Sequence, residues 1–147
     1  MTSTSRLPPP AQTLWGNANN DYSSGKYDLA AGEFTDFVRS YPDDPFAPKA
    51  MLYLGQIHLT QMKYDLAVTD FDSVLERYPE NKDVTPDAYF MKGMALKYLG
   101  RRNDAADQFK TVVRKYPKSD RKPEAEEQLK NMGLSTARPP VAAGKKK

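Results

Sequence analysis

The stretch "TQMKYDLAVTDFDSVLERYP" occupies residues 60–79, and "SSGKYDLAAGEFTDFVRSYP" occupies 23–42. The two share the pentapeptide KYDLA, at 26–30 and again 37 positions later at 63–67. A third, more divergent copy, "YLGRRNDAADQFKTVVRKYP", stands at 98–117. Aligned on Ala30, Ala67 and Ala105, the copies place Phe34, Phe71 and Phe109 four residues later, one helical turn along the same face. Phe37/Val38, Val74/Leu75 and Val112/Val113 extend that apolar stripe. Every copy ends in Tyr-Pro, at 41–42, 78–79 and 116–117. Proline stops a helix and restricts the residue before it, so these pairs predict three helix ends.

A second signature precedes the later copies. "APKAMLYLG" (47–55), "TPDAYFMKG" (85–93) and "KPEAEEQLKNMG" (122–133) share Pro-x-Ala at the start. Proline is favoured in the first turn of a helix, where its missing N–H costs nothing. Thr85 is expected to cap the helix it precedes. Gly55 and Gly93 each fall seven residues after their proline. A mid-helix glycine costs about 1 kcal/mol relative to alanine. Its recurrence at one register predicts two helices in close approach. Each unit therefore reads as helix, short turn, helix and Pro-bounded loop, with a period of 37 to 38 residues. A single such pair cannot bury its apolar face, whereas stacked pairs form a continuous core.

Composition sets the outer limits. With 147 residues, 39% hydrophobic and 28% charged, the chain is expected to form one domain with a real core. No apolar run approaches the roughly 18–20 residues of a membrane span. The formal charge of +3 includes Lys145, Lys146 and Lys147, so no nucleic-acid surface is indicated. The absence of cysteine removes thiol nucleophiles, thiolate metal sites and disulfides. There is no Gly-rich phosphate loop, zinc spacing or nucleophile elbow. His58, the single histidine, is expected to pack structurally, and Asp70 and Asp72 fall on different helix sides. No catalytic residue, cofactor or metal is expected.

The order Gly55, Tyr64, Ala67, Phe71 and Pro79 resembles the tetratricopeptide (TPR) pattern. The usual unit is about 34 residues; the surplus here falls in the loops after Tyr-Pro. Within that superfamily, "NDYSSGKYDLAAGEFTDFVRSYP", "FAPKAMLYLGQIHL" and "TPDAYFMKGMALKYLG" resemble the C-terminal domain of the YbgF/CpoB cell division coordinator family of the Tol–Pal system, over about Leu14 to Leu134. The implied fold is an all-α, right-handed TPR-like solenoid of three helix pairs with a C-terminal capping helix. The expected organisation is a Pro-rich linker remnant at 1–13 and a TPR-like domain at 14–134. Its repeats would be about 11–42, 48–79 and 86–117, with a cap at about 123–132 and a disordered basic tail at 135–147. That family carries a signal peptide and a trimerising coiled coil. Neither is seen here, so a monomeric fragment is expected, with "LPPPAQ" as the end of a linker. The resemblance implies a non-catalytic periplasmic adaptor that inserts in no membrane. It would bind a TolA-like protein and a penicillin-binding peptidoglycan synthase, coordinating outer-membrane constriction with septal peptidoglycan synthesis. The alternatives are a TPR module of the outer-membrane-assembly lipoprotein type and an accessory domain of a larger enzyme.

Carried over to this chain, the TPR register puts Gln12, Trp15, Asn19 and Tyr22 of the first repeat in a concave groove. Lys49, Leu52, Gln56, Leu59 and Thr60 would follow from the second, and Asp87, Phe90, Met94, Lys97 and Tyr98 from the third. This mixture of aromatic and aliphatic anchors with amides and a few charges suits an extended peptide or small domain. The first repeat, with "GNANND" at 16–21 and Gly32, is poor in helix formers. It is expected to be held by packing against the second or to be partly ordered by a partner.

Overall fold

The computed structural model describes residues 7–134; the expected tail at 135–147 and the first six residues lie outside it. Among the described residues seven helices follow one another: α1 (Ala11–Ser23), α2 (Tyr27–Ser40), α3 (Ala47–Thr60), α4 (Tyr64–Arg77), α5 (Thr85–Tyr98), α6 (Arg102–Lys115) and α7 (Arg121–Asn131). No strand occurs among the described residues. The architecture is an all-α TPR-like solenoid. KYDLA opens the second helix of a pair, since α2 and α4 begin at Tyr27 and Tyr64. Ala30, Ala67, Phe34, Phe71 and Phe109 are fully buried, so their helical spacing directs the apolar face to the core.

Both kinds of connection repeat with the sequence. Helices α2, α4 and α6 stop one residue before Tyr41, Tyr78 and Tyr116, each followed by proline. The turns joining α1 to α2, α3 to α4 and α5 to α6 are three-residue Schellman closures. Lys26, Lys63 and Arg101 N–H donate to the Asp21, His58 and Leu96 carbonyls. At their left-handed position stand Gly25 (φ 76), Met62 (φ 61) and Gly100 (φ 79). Helix α7 closes the same way, with Gly133 at φ 77 and Leu134 N–H on the Leu129 carbonyl. It thus ends like the first helix of a pair. Met62 is the exception: a residue with a Cβ in a conformation that costs roughly 1 kcal/mol or more outside glycine. Its side chain is 71% exposed, so little packing offsets that cost. Met62→Gly should therefore stabilise the protein by about 1 kcal/mol, raising Tm by roughly 2–4 °C. A lowered Tm in a thermal melt would show that Met62 packs to more effect than its exposure implies.

Two features correct the sequence reading. Thr85 does not cap α5: Val84 is the N-cap, and Thr85 is the first helical residue, 1% exposed. Its hydroxyl has no hydrogen-bond partner. His58 is not simply packed: its Nδ1 lies 2.5 Å from Asp70 Oδ2, tying α3 to α4. Burial raises the Asp70 pKa above the usual carboxylate range, and outweighs the opposing pull of His58.

Both helices of the first repeat are regular along their length despite its composition. Leu14 and Ala18 are the buried residues of α1, so its hold on the domain is narrow. One contact works against it. Glu33 on α2 has an Oε1 shut off from solvent with no partner. Its pKa is raised, by burial first, then by the neighbouring Asp21 carboxylate on α1 and by Asp36. A carboxyl raised on folding holds its proton more tightly in the native state. Its contribution is therefore best in acid and is lost as pH rises through the raised pKa. Glu33→Gln should raise Tm at about pH 7, with the advantage vanishing near pH 3. Equal melting curves for the two proteins at neutral pH would refute this.

Candidate protein-binding groove

The first helices of the pairs form the inner layer. Helix α3 meets α5, and α5 meets α7, whereas α2, α4 and α6 contact chiefly the first helices on either side of them. The layer whose members approach one another is the inner side of a curved stack. The Gly55 and Gly93 positions explain how α3 and α5 sit so close to α4 and α6. A Cβ on Gly55 would lie 2.4 Å from the Phe71 ring, and one on Gly93 would lie 2.6 Å from the Phe109 ring.

On α1, Gln12 is exposed and Trp15, Asn19 and Tyr22 are half-buried. The Asn19 amide donates to the Trp15 carbonyl of its own helix at 2.8 Å. Tyr22 donates through its hydroxyl to Gln56 Oε1 of α3 at 3.2 Å. Burial raises the Tyr22 pKa, with Tyr27 and Tyr53 adding to the effect, so the phenol stays a donor at neutral pH. Four rings form a near-parallel column across the junction of the first two repeats. Phe46 stacks on Trp15 (4.7 Å, 6°), Trp15 on Tyr53 (6.0 Å, 13°) and Tyr53 on Tyr22 (5.2 Å, 9°). Phe46 and Tyr53 are absent from the register-based reading. Their signal was aromaticity beside Pro45 and within α3, but no spacing rule joins them to Trp15.

On α3, Lys49 and Thr60 are exposed, while Gln56 and Leu59 are half-buried. Leu52, expected on the groove wall, is 1% exposed and belongs to the core. On α5 the same correction applies to Phe90, 8% exposed, whose ring is covered by the Arg121 guanidinium at 4.9 Å. Both stand at the register position that the adjacent first helix covers, so stacking consumes them. Asp87 is half-buried and pairs with Arg121 at 2.7 Å. Arg121 also reaches Glu124 at 2.8 Å. These two carboxylates raise its pKa despite burial, which acts the other way and is the largest single influence. Lys97 donates to Gln128 of α7 at 2.9 Å. Met94 is half-buried, and Tyr98, 54% exposed, stacks on Tyr64 at 5.1 Å.

Helix α7 therefore closes the far wall of the groove rather than only covering the end of the stack. The accessible surface is Gln12, the α1 aromatics, Lys49, Gln56, Leu59, Thr60, Met94, Lys97 and Tyr98, bordered by Glu127. It is weakly charged and rich in amide and aromatic edges. Among the described residues no group of three or more His, Cys, Asp or Glu could hold a metal ion. No helix among them is long and apolar enough to cross a membrane.

Comparisons with known proteins agree on this architecture. The model of a family described as YfiO, outer membrane lipoprotein, matches residues 9–139. No curated protein matches the sequence. Among solved structures, the Arabidopsis OM64 TPR domain is similar with a TM-score of 0.69 at 17% identity, over 83% of this chain and 95% of that one. The first TPR of Spaghetti (RPAP3), bound to the HSP90 peptide SRMEEVD, has a TM-score of 0.69 at 21% identity, over 84% and 90%. The Yersinia enterocolitica type III secretion translocator chaperone SycD has a TM-score of 0.63 at 20% identity, over 83% and 86%. At these identities the likeness shows the fold.

Proposed function

We propose a function from one premise: this chain belongs to the YfiO family of outer membrane lipoproteins, and it is a TPR-type protein-binding scaffold. It acts as a non-catalytic adaptor that holds an extended segment or small domain of a partner along the concave face. The observation that carries this reading is the row of half-exposed side chains on α1, α3 and α5, which present amides and aromatic edges without a catalytic grouping. The place of action is the periplasm, and family membership favours a role beside the outer-membrane assembly machinery. A second placement, in the Tol–Pal system with a TolA-like protein and a peptidoglycan synthase, is favoured by the motif order over Leu14 to Leu134.

A peptide like the SRMEEVD of the Spaghetti complex is strongly acidic. Among the described residues the groove offers two cations without a carboxylate partner, Lys49 and Lys97, the latter bonded to the neutral Gln128, since Arg121 is already held by Asp87 and Glu124. A weakly charged partner suits it better.

Calorimetric titration with the soluble domain of TolA, and separately with soluble domains of the outer-membrane assembly machinery, tests the reading. Saturable binding to one of them, weakened about tenfold by Lys49→Glu with Tyr98→Ala at unchanged Tm, is the expected result. Binding indifferent to both substitutions would move the site off the groove. No binding to either set would remove the proposed placements.

A further inference from the structure

We propose that the cleft where α1 and α3 begin binds a proline-rich, polyproline-II segment of a partner protein that carries a flanking cation. The proposal rests on the adaptor reading and specifies the class of segment such a partner would present. The cleft, about 470 Å³, is lined by Ala11, Trp15, Phe37, Asp44, Pro45 and Phe46, with Gln12 at its edge.

Three observations point to this ligand. The first is the set of flat faces. Phe46 is 50% exposed yet stacked within 6° of parallel on Trp15, so an apolar plate is held open to solvent at the cleft mouth. Pyrrolidine rings pack well on such plates, and aromatic-lined grooves are the usual receptors for polyproline-II strands.

The second is the chain's own behaviour at the same rim. Tyr41 donates its hydroxyl to the Pro9 carbonyl at 2.5 Å. Its ring lies 5.8 Å from Phe37, which is 5.6 Å from Trp15, so this contact is continuous with the cleft. Pro10 has φ −54 and ψ 147, in the polyproline-II region. A polyproline strand leaves its carbonyls unbonded, and an aromatic hydroxyl beside a ring face satisfies one of them. The molecule already uses this chemistry on Pro9 and Pro10, and the Trp15–Phe46 plate beside them offers it again.

The third is charge. Asp43 and Asp44 stand on the α2–α3 loop, and neither belongs to an ion pair among the described residues. Asp44 Oδ1 accepts the Phe46 N–H at 2.8 Å, which fixes a carboxylate at the cleft edge. An arginine or lysine next to the prolines would meet that carboxylate and Asp43.

The test uses the full chain and an arginine-flanked octaproline peptide, with a control in which alanine replaces every proline. Binding is followed by calorimetry and by the emission of Trp15, the single tryptophan. The expected result is saturable binding of octaproline, weakened about tenfold in the alanine control and about tenfold by Phe46→Ala at unchanged helical content. Should Phe46→Ala melt the first repeat, Asp43→Asn serves instead. It should weaken the arginine-flanked peptide severalfold at low salt and leave an uncharged octaproline unaffected. Equal binding of the alanine control, full affinity in Phe46→Ala, or no octaproline binding would overturn the proposal. So would a Trp15 change that follows protein concentration alone, with dimers in sedimentation, because the occupant would then be a second copy. Tyr98→Ala, on α5 and outside this cleft, should leave octaproline affinity unchanged, which separates this site from failure of the groove reading.

Discussion

Trp15→Ala should lower stability by about 3 kcal/mol and release α1 from the solenoid. The indole touches Phe34 at 5.8 Å, Phe37 at 5.6 Å, Phe46 at 4.7 Å and Tyr53 at 6.0 Å between ring centroids, joining three helices and the loop before α3. The buried residues of α1 are Leu14 and Ala18, too small to hold thirteen residues of a sequence with three asparagines and a glycine. Truncation removes the ring contacts and opens a void beside Phe34 and Phe37, both fully buried. For a chain of this length, that is a fall in Tm of roughly 6–12 °C. Hydrogen exchange at 11–23 should accelerate more than at 64–77, because the damage is local to the first pair. A Tm within a degree of the parent would mean that the ring column is not what holds α1. Lost partner binding in Trp15→Ala would accordingly reflect a missing helix as much as a missing contact. Substitutions at exposed Lys49 and Tyr98 report on the groove more directly.

Gly55→Ala should destabilise by about 2 kcal/mol, although alanine is the better helix former by about 1 kcal/mol. The new methyl carbon would lie 2.4, 2.8 and 2.8 Å from three atoms of the Phe71 ring. That ring is fully buried, so it can yield only by displacing α4 or adopting a poor rotamer. Gly93→Ala should behave alike, with distances of 2.6, 2.9 and 3.0 Å to Phe109. A double mutant, Gly55→Ala with Phe71→Leu, should lose less than the sum of its parts, because the smaller side chain vacates the contested space. Thermal or denaturant unfolding of the four proteins decides it. A stabilised Gly55→Ala would mean that helix propensity outweighs the clash.

Different parts of the molecule were legible to different degrees. The helix ends could be read because Tyr-Pro acts locally: Pro42, Pro79 and Pro117 forbid continuation whatever surrounds them. The close approach at Gly55 could be read because an unfavourable residue recurs at one register. Thr85 misled because capping preference is a local average, and the fold carries Thr85 one residue into the helix and buries it. The His58–Asp70 pair was missed because the partners are twelve residues apart on separate helices, beyond any intrahelical spacing. In the groove, register assigned positions correctly to the first helices but could not say which the neighbouring helix would cover. Leu52 and Phe90 were lost to the core in that way, and Phe46 and Tyr53 came to light only as members of the ring column.

By itself the sequence determined the repeat, its period, the helix order and the apolar stripe that the second helix of each pair turns to the core. Each of these follows from forces acting within one helical turn or from the need of a stacked pair to bury its stripe. Tertiary structure alone decided which polar groups meet, which register positions stay open and where the aromatic plates face solvent. Those outcomes depend on the angle and distance between helices far apart in sequence. That geometry is set by the summed packing of helices α1 to α7, not by any local pattern.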